Sequence, residues 1–120
     1  MSNILPLLNN KELNDLLEKY TTNLRSLLGK HLSDVILYGS YARNEATEGS
    51  DIDLMILVDL PEEDINKYDD KISDFSTEVL LEKSILVSAI VHNKEIFDER
   101  TTFIPFYENV LKEGKRICVS

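Results

Sequence analysis

Two aspartates, Asp51 and Asp53, stand two residues apart at the start of the apolar run Ile52–Val58. Because successive side chains of a strand alternate between its faces, both carboxylates point to the same side, about 7 Å apart along the chain. A magnesium ion takes hard oxygen ligands, often one or two carboxylates together with substrate phosphates and water. The pair therefore predicts a site for a divalent cation.

A plainer interpretation has Asp51 capping a turn after Ser50 and Asp53 facing solvent from a half-exposed strand. Alternation would then place polar side chains at positions 55 and 57 as well. Met55 and Leu57 occupy those positions. The sequence thus favours a buried strand that begins with a functional pair of carboxylates.

Gly39 and Ser40 follow the short apolar run Asp34–Tyr38 and precede the aspartate pair along the chain. A glycine lets the backbone approach a phosphate closely, and the turn after it presents N–H groups and a hydroxyl. A helix starting near Ser40 would also direct its positive end at the anion. Alone, such a pair usually marks a tight turn, but beside two carboxylates it indicates a nucleotide site. Two roles are open for Arg43: it could neutralise phosphate charge or form a salt bridge with the neighbouring acidic loop.

These residues match a known pattern, a hydrophobic residue and Gly-Gly or Gly-Ser followed by Asp-x-Asp or Asp-x-Glu on the next strand. Leu37-Tyr38-Gly39-Ser40 and Asp51-Ile52-Asp53 resemble this signature of the nucleotidyltransferase superfamily of the DNA polymerase β type. The longer strings Gly39–Arg43 and Ser50–Leu54 resemble its minimal nucleotidyltransferase group. The resemblance implies an α/β (α+β) fold, with a small mixed β-sheet flanked by helices.

The same resemblance implies roles for individual residues. Gly39, Ser40 and Arg43 are expected to bind the nucleoside triphosphate, and Asp51 and Asp53 to be the catalytic residues that bind Mg²⁺. The expected reaction is the transfer of AMP from ATP to an acceptor hydroxyl. Small relatives are often antitoxins of helical HEPN toxins and adenylylate a toxin tyrosine, so a HEPN-type protein partner is expected.

A formal charge of −9 bears on the choice of partner. A surface this acidic repels phosphate backbones and lacks the basic footprint of a nucleic-acid binder. We therefore expect a nucleoside triphosphate and a protein partner, and no direct nucleic-acid contact. A homodimer, or a subunit of a larger transferase, is a further possibility that no sequence feature discriminates.

Active members of the superfamily usually carry a third carboxylate on the neighbouring strand. The corresponding run here, Ile85–Val91, contains no acid, and Leu86 or Ser88 occupies the expected place. Glu82 would reach inward only if the strand boundary were shifted. Two functions follow, a magnesium-dependent nucleotidyltransferase or a catalytically degenerate binding module that neutralises its partner by association alone.

A chain of 120 residues that is 42% apolar can bury one modest core, which predicts a single nucleotidyltransferase-like domain over residues 1–120. No signal-peptide pattern and no membrane-length apolar run is present, which favours the cytoplasm. Cys118 is the one cysteine, so no internal disulfide forms, and its place near a terminal strand suggests a small buried apolar group.

Hydrophobic periodicity and turn residues predict the elements that hold the site. We expect helices over 11–28, 41–44, 62–81, about 93–97 and 103–112, and strands over 34–38, 52–58, 84–91 and about 115–119. Asn9 or Asn10 is the expected N-cap of the first helix and Gly29 its stop. The last helix should bury one apolar face, made of Phe103, Phe106, Tyr107, Val110 and Leu111.

Overall fold

The structure is a computed structural model that describes residues 6–117; Cys118 and the end of the last predicted strand lie outside the described residues. Its helices are α1 (Asn10–Leu28), α2 (Glu62–Ile65), α3 (Asp69–Lys83), α4 (Lys94–Arg100) and α5 (Pro105–Glu113). Its strands are β1 (Leu32–Tyr38), β2 (Ile52–Val58), β3 (Val87–Asn93) and β4 (Lys115–Ile117).

The four strands form one sheet in the order β3-β2-β1-β4. Strand β1 pairs antiparallel with both β2 and β4, whereas β2 and β3 run parallel. The parallel pair is joined by a crossover through α2 and α3, as parallel neighbours require. This arrangement confirms the predicted mixed sheet flanked by helices.

Strand β2 is buried on both faces. Ile52, Leu54, Ile56 and Val58 belong to the larger core, which includes the buried residues of α1 and α3. Met55 and Leu57 face a smaller core completed by Phe97 of α4 and Val110 of α5. A strand covered on both sides reads as a continuous apolar run, which explains the composition of β2. Asp53 shares the face of Met55 and Leu57.

Helix α1 begins and ends close to its predicted limits. Asn9 caps it, because its side chain accepts a hydrogen bond from the Glu12 N–H while the Glu12 carboxylate accepts one from the Asn9 N–H. These reciprocal bonds form a capping box and satisfy N–H groups that have no partner within the helix. Gly29 ends the helix with φ +57°, a conformation that other residues rarely adopt.

The predicted helix over residues 41–44 is wrong, since the segment forms turns. The Arg43 N–H donates to the Gly39 carbonyl at 3.1 Å and the Asn44 N–H to the Tyr41 carbonyl at 3.4 Å. Asn44 has φ +59°, and a left-handed residue at this point ends any helical turn. The idea of a helix end aimed at a phosphate from Ser40 is therefore wrong as well.

The helix predicted over 62–81 is divided by a 3-10 turn at Asn66–Tyr68. Helix α2 packs against β3, whereas α3 packs against both β3 and α1. Ser84, at φ +59°, ends α3, so the strand predicted from residue 84 begins only at Val87.

The apolar face predicted for the last helix is wrong in part. Val110 is buried and Tyr107 packs on the smaller core, but Phe103, Phe106 and Leu111 are 69%, 44% and 46% exposed. Phe103 lies in the turn before Pro105, which is the first residue of α5, and so it is outside the helix altogether. Helix α5 packs on β1, a central strand, and Val110 is its buried residue, so the buried stripe is narrower than the sequence pattern suggests.

Within the part of the chain that the structure describes, none of the helices combines the length and the apolar character that a membrane crossing demands.

Candidate nucleotide and metal site

The Gly39–Ser40 turn and the Asp53 carboxylate meet at one point of the sheet. Tyr38, the last residue of β1, lies opposite Asp53 in the antiparallel register, so Gly39 leaves the strand beside that carboxylate. Gly39 has φ +76°, and a Cβ built on it would overlap Asp53 Oδ2. Only glycine allows this backbone conformation and this close approach together.

The chain after Gly39 returns quickly toward β2. The Glu45 N–H donates to the Ser40 carbonyl at 2.9 Å. Further along, Thr47 and Ser50 bond reciprocally, with the Thr47 N–H donating to the Ser50 hydroxyl and the Ser50 N–H to the Thr47 carbonyl. Ser50 therefore caps the turn before Asp51.

The two aspartates differ in environment. Asp51 is exposed and directly precedes β2, whereas Asp53 is half-buried within the strand. Burial raises the pKa of the Asp53 carboxyl above its ordinary value, and the negative charge of Asp51 raises it further, against a smaller lowering by Arg43. A cation bound between the two carboxylates would relieve both effects.

This donor set fits a divalent cation that is also held by its substrate. Among residues 6–117, no group of three or more His, Cys, Asp or Glu side chains is arranged to hold a metal ion. Magnesium commonly binds through one or two carboxylates, with phosphate oxygens and water in its other positions. Asp51 and Asp53 match that mode and would leave most of the coordination sphere to a nucleotide.

Arg43 contacts two carboxylates of its own. Its Nη1 lies 3.1 Å from Glu113 at the end of α5, and its Nε lies 3.6 Å from Glu45 in the acidic loop. The salt link considered from the sequence is therefore present. Arg43 also lies close enough to Asp53 to lower the pKa of that carboxyl, so a positively charged guanidinium stands beside the site.

Ser88 occupies the position at which a third carboxylate would be sought. It pairs with Asp53 in the parallel register of β2 and β3, so their side chains share one face of the sheet. Leu86 precedes β3 and is 49% exposed. Glu82 lies in α3 with its carboxylate 3.7 Å from Lys19 of α1, and α1 packs against the opposite face.

Two aromatic residues lie beside the site, and the sequence patterns predicted a role there for neither of them. The Tyr38 ring is buried, and burial together with the Asp53 charge raises the pKa of its hydroxyl to about 12. The ring of Phe106, from α5, meets Tyr38 edge to face, with 5.8 Å between the ring centroids. The position of Tyr38 next to Gly39 was a signal in the sequence, but the approach of α5 was not.

Comparison with known proteins agrees with this geometry. Residues 17–118 match the family model described as a nucleotidyltransferase domain. The chain belongs to the nucleotidyltransferase family. This membership confirms the resemblance derived from the two motifs, while the roles of Asp51, Asp53, Gly39, Ser40 and Arg43 stay predictions.

Two archaeal proteins are similar to this chain in sequence. The proposed protein adenylyltransferase MJ0604 of Methanocaldococcus jannaschii is 33% identical over 99 residues, which cover 82% of this chain and 91% of that protein. The proposed protein adenylyltransferase MJ0141 of the same organism is 35% identical over 98 residues, which cover 82% and 94%.

A solved structure shows the same nucleotidyltransferase fold at lower sequence identity. A chain in the crystal structure of a mutant of the toxin-antitoxin MntA-HpeT superimposes with a TM-score of 0.53 and 15% identity, covering 94% of this chain and 75% of that chain.

Replacement of Gly39 by alanine tests the contact at the centre of the site. We expect a loss of about 1–3 kcal/mol in the free energy of unfolding from backbone strain, together with displacement of the Asp53 carboxylate and loss of magnesium-dependent ATP binding. Gly29→Ala is the matched control, because Gly29 also has positive φ but its Cβ would meet no atom within 4 Å. Urea unfolding and calorimetry measure both properties, and retained binding in Gly39→Ala would contradict the role of this contact.

The raised pKa of Asp53 predicts a pH-dependent effect of Asp53→Asn. A carboxyl whose pKa is higher in the folded state than in the unfolded chain stabilises the fold only while it is protonated, so stability is lost as pH rises from its ordinary value of 3.8 through the raised one. The metal-free variant should therefore melt at or above the wild-type temperature at pH 7. Its advantage should vanish below the ordinary pKa, and a variant that is less stable at pH 7 would refute the expectation.

Proposed function

We propose that this chain is a magnesium-dependent nucleotidyltransferase that transfers AMP from ATP to a hydroxyl group of a partner protein. The single observation that supports this most directly is the contact of the Gly39 backbone with the Asp53 carboxylate. It brings a turn suited to phosphates and a pair of carboxylates suited to a divalent cation to the same place.

In the proposed reaction, an oxygen–phosphorus bond forms between the acceptor hydroxyl and the α-phosphorus of ATP. The bond from that phosphorus to the oxygen bridging to the β-phosphate breaks, and pyrophosphate leaves. The hydroxyl proton passes to surrounding water, because Ser88 stands where a carboxylate base would otherwise lie. The product is an AMP–protein phosphodiester.

Asp51 and Asp53 are the residues that would hold magnesium. When bound, the metal would neutralise phosphate charge and lower the pKa of the attacking hydroxyl. The protein's own contribution is placement, since Asp51 lies close enough to Asp53 to raise its pKa and the turn at Gly39 and Ser40 would receive the triphosphate. Arg43, held by Glu113, would add positive charge at the rim.

The partner proposed is a HEPN-type toxin, with this chain as its antitoxin. The names of the archaeal relatives describe protein adenylyltransferases, and the MntA-HpeT complex is a toxin-antitoxin pair. The charge of −9 suits a protein with a basic surface better than a nucleic acid.

Intact mass spectrometry tests the transfer. Incubation of the purified chain with magnesium, ATP and a candidate HEPN-type partner should yield a partner heavier by about 329 Da, the mass of one transferred adenylyl group. Asp51→Asn and Asp53→Asn should abolish the adduct. Asp59→Asn is the matched control, since Asp59 is exposed at the other end of β2; an adduct that persists in Asp53→Asn would reject the site.

A second function is favoured by one observation, the serine opposite Asp53. Without a third carboxylate, the site would bind magnesium and ATP but catalyse poorly, and the chain would neutralise its partner by association alone. Complex formation without an AMP adduct, unchanged in Asp53→Asn, is the result expected from such a binding module.

Ser88→Asp tests whether the absence of a third carboxylate limits catalysis. A carboxylate on the face of Asp53 should complete the acidic site and raise the adenylylation rate by about 10-fold or more, toward the roughly 100- to 10,000-fold contribution of a well-positioned base. The gain should disappear in the double variant with Asp53→Asn, which serves as the control. A rate that falls or stays the same would show that Ser88 does not occupy the place of a third carboxylate.

A further inference from the structure

Phe106 is an exposed aromatic side chain held rigidly next to the candidate site. It lies in the first turn of α5 and is 44% exposed. Its ring meets two others edge to face, Tyr38 at 5.8 Å and Tyr107 at 5.4 Å between centroids. The two contacts fix the orientation of the ring while part of its surface stays open.

The position of the ring relative to the phosphate turn follows from the chain. Tyr38, on which Phe106 packs, directly precedes Gly39 and lies opposite Asp53. The ring of Phe106 is therefore separated by the Tyr38 ring from the residues that would bind the triphosphate and the cation. A nucleotide whose phosphates lie at Gly39 can place its base over this part of α5.

The negative charge of the protein increases the importance of an aromatic contact for nucleotide binding. The chain carries a net charge of −9, and Arg43 is already engaged by Glu113 and Glu45, so the phosphates depend on the metal for much of their attraction. A nucleobase is neutral and gains from stacking regardless of the surrounding charge. A ring that is already oriented loses little conformational entropy on binding.

We propose that Phe106 stacks on the base of the bound nucleotide and gives the site a preference for purines. The inference rests on the proposed nucleotidyltransferase function, and it adds the residue that selects the base. A purine offers a larger aromatic surface than a pyrimidine, so the same ring favours ATP over UTP. Phe106 contacts the substrate away from the reacting phosphorus and is a specificity residue.

Calorimetry with three magnesium-bound probes tests the proposal: ATP, UTP and inorganic tripolyphosphate, which has no base. Phe106→Leu should weaken ATP binding by about 5- to 10-fold, the low end expected for loss of a stacked base. It should reduce the preference for ATP over UTP and leave tripolyphosphate binding unchanged. Equal weakening of ATP and tripolyphosphate would overturn the proposal, because the ring would then support the phosphate site instead.

Two further variants serve as controls for this test. Phe103→Leu is the matched control, since Phe103 is 69% exposed in the turn before α5, and its binding of all three probes should equal that of the wild type. Phe106→Trp keeps an aromatic ring and should bind ATP at least as tightly as the wild type. If Phe106→Leu does not fold, a loss of ATP binding in Phe106→Trp with intact tripolyphosphate binding would overturn the stacking role.

The outcomes separate this inference from the proposed function. A wild-type protein that binds none of the three probes would reject both. A wild-type protein that binds ATP and retains its full affinity in Phe106→Leu would reject only the stacking role, and the nucleotidyltransferase proposal would stand.

Discussion

The backbone of Gly39 passes so close to the Asp53 carboxylate that no side chain fits between them. At this contact the chain leaves β1 with positive φ, a conformation that glycine adopts without strain. It also brings the turn that would receive phosphates to the residue that would hold the metal. A change at either residue would therefore disturb both the phosphate turn and the metal-binding carboxylate.

The packing of helices on both faces of the sheet supports this contact. Helices α1 and α3 cover one face of β2, while α4 and α5 cover the other. A central strand buried on both sides has little freedom to slip, since a shift of one residue would exchange its two apolar faces and move Asp53 into the larger core. The apolar residues that follow Asp53 thus hold its carboxylate at the edge of the smaller core, where burial raises its pKa.

Helix α5 connects the smaller core to the rim of the site. Val110 anchors it in that core, and from there its first turn places Phe106 on Tyr38 while its last residue, Glu113, holds Arg43. One short helix thereby contacts both Tyr38 and Arg43, the residues that flank the Gly39–Ser40 turn region. Its exposed residues are explained by this position, because a helix at the rim buries only a narrow stripe.

Much of this protein was determined by sequence alone: β2 has its predicted limits, α1 begins at its predicted cap, and the glycine and aspartate motifs identified the family that the comparisons confirm. Periodicity and residue type carry that information because they act locally. Strand register and helix placement decided the rest. The pairing that put Ser88, and not Leu86, opposite Asp53 and the exposure of Phe106 both depend on contacts between distant segments. Such contacts form only when the sheet assembles, so local patterns could not reveal them.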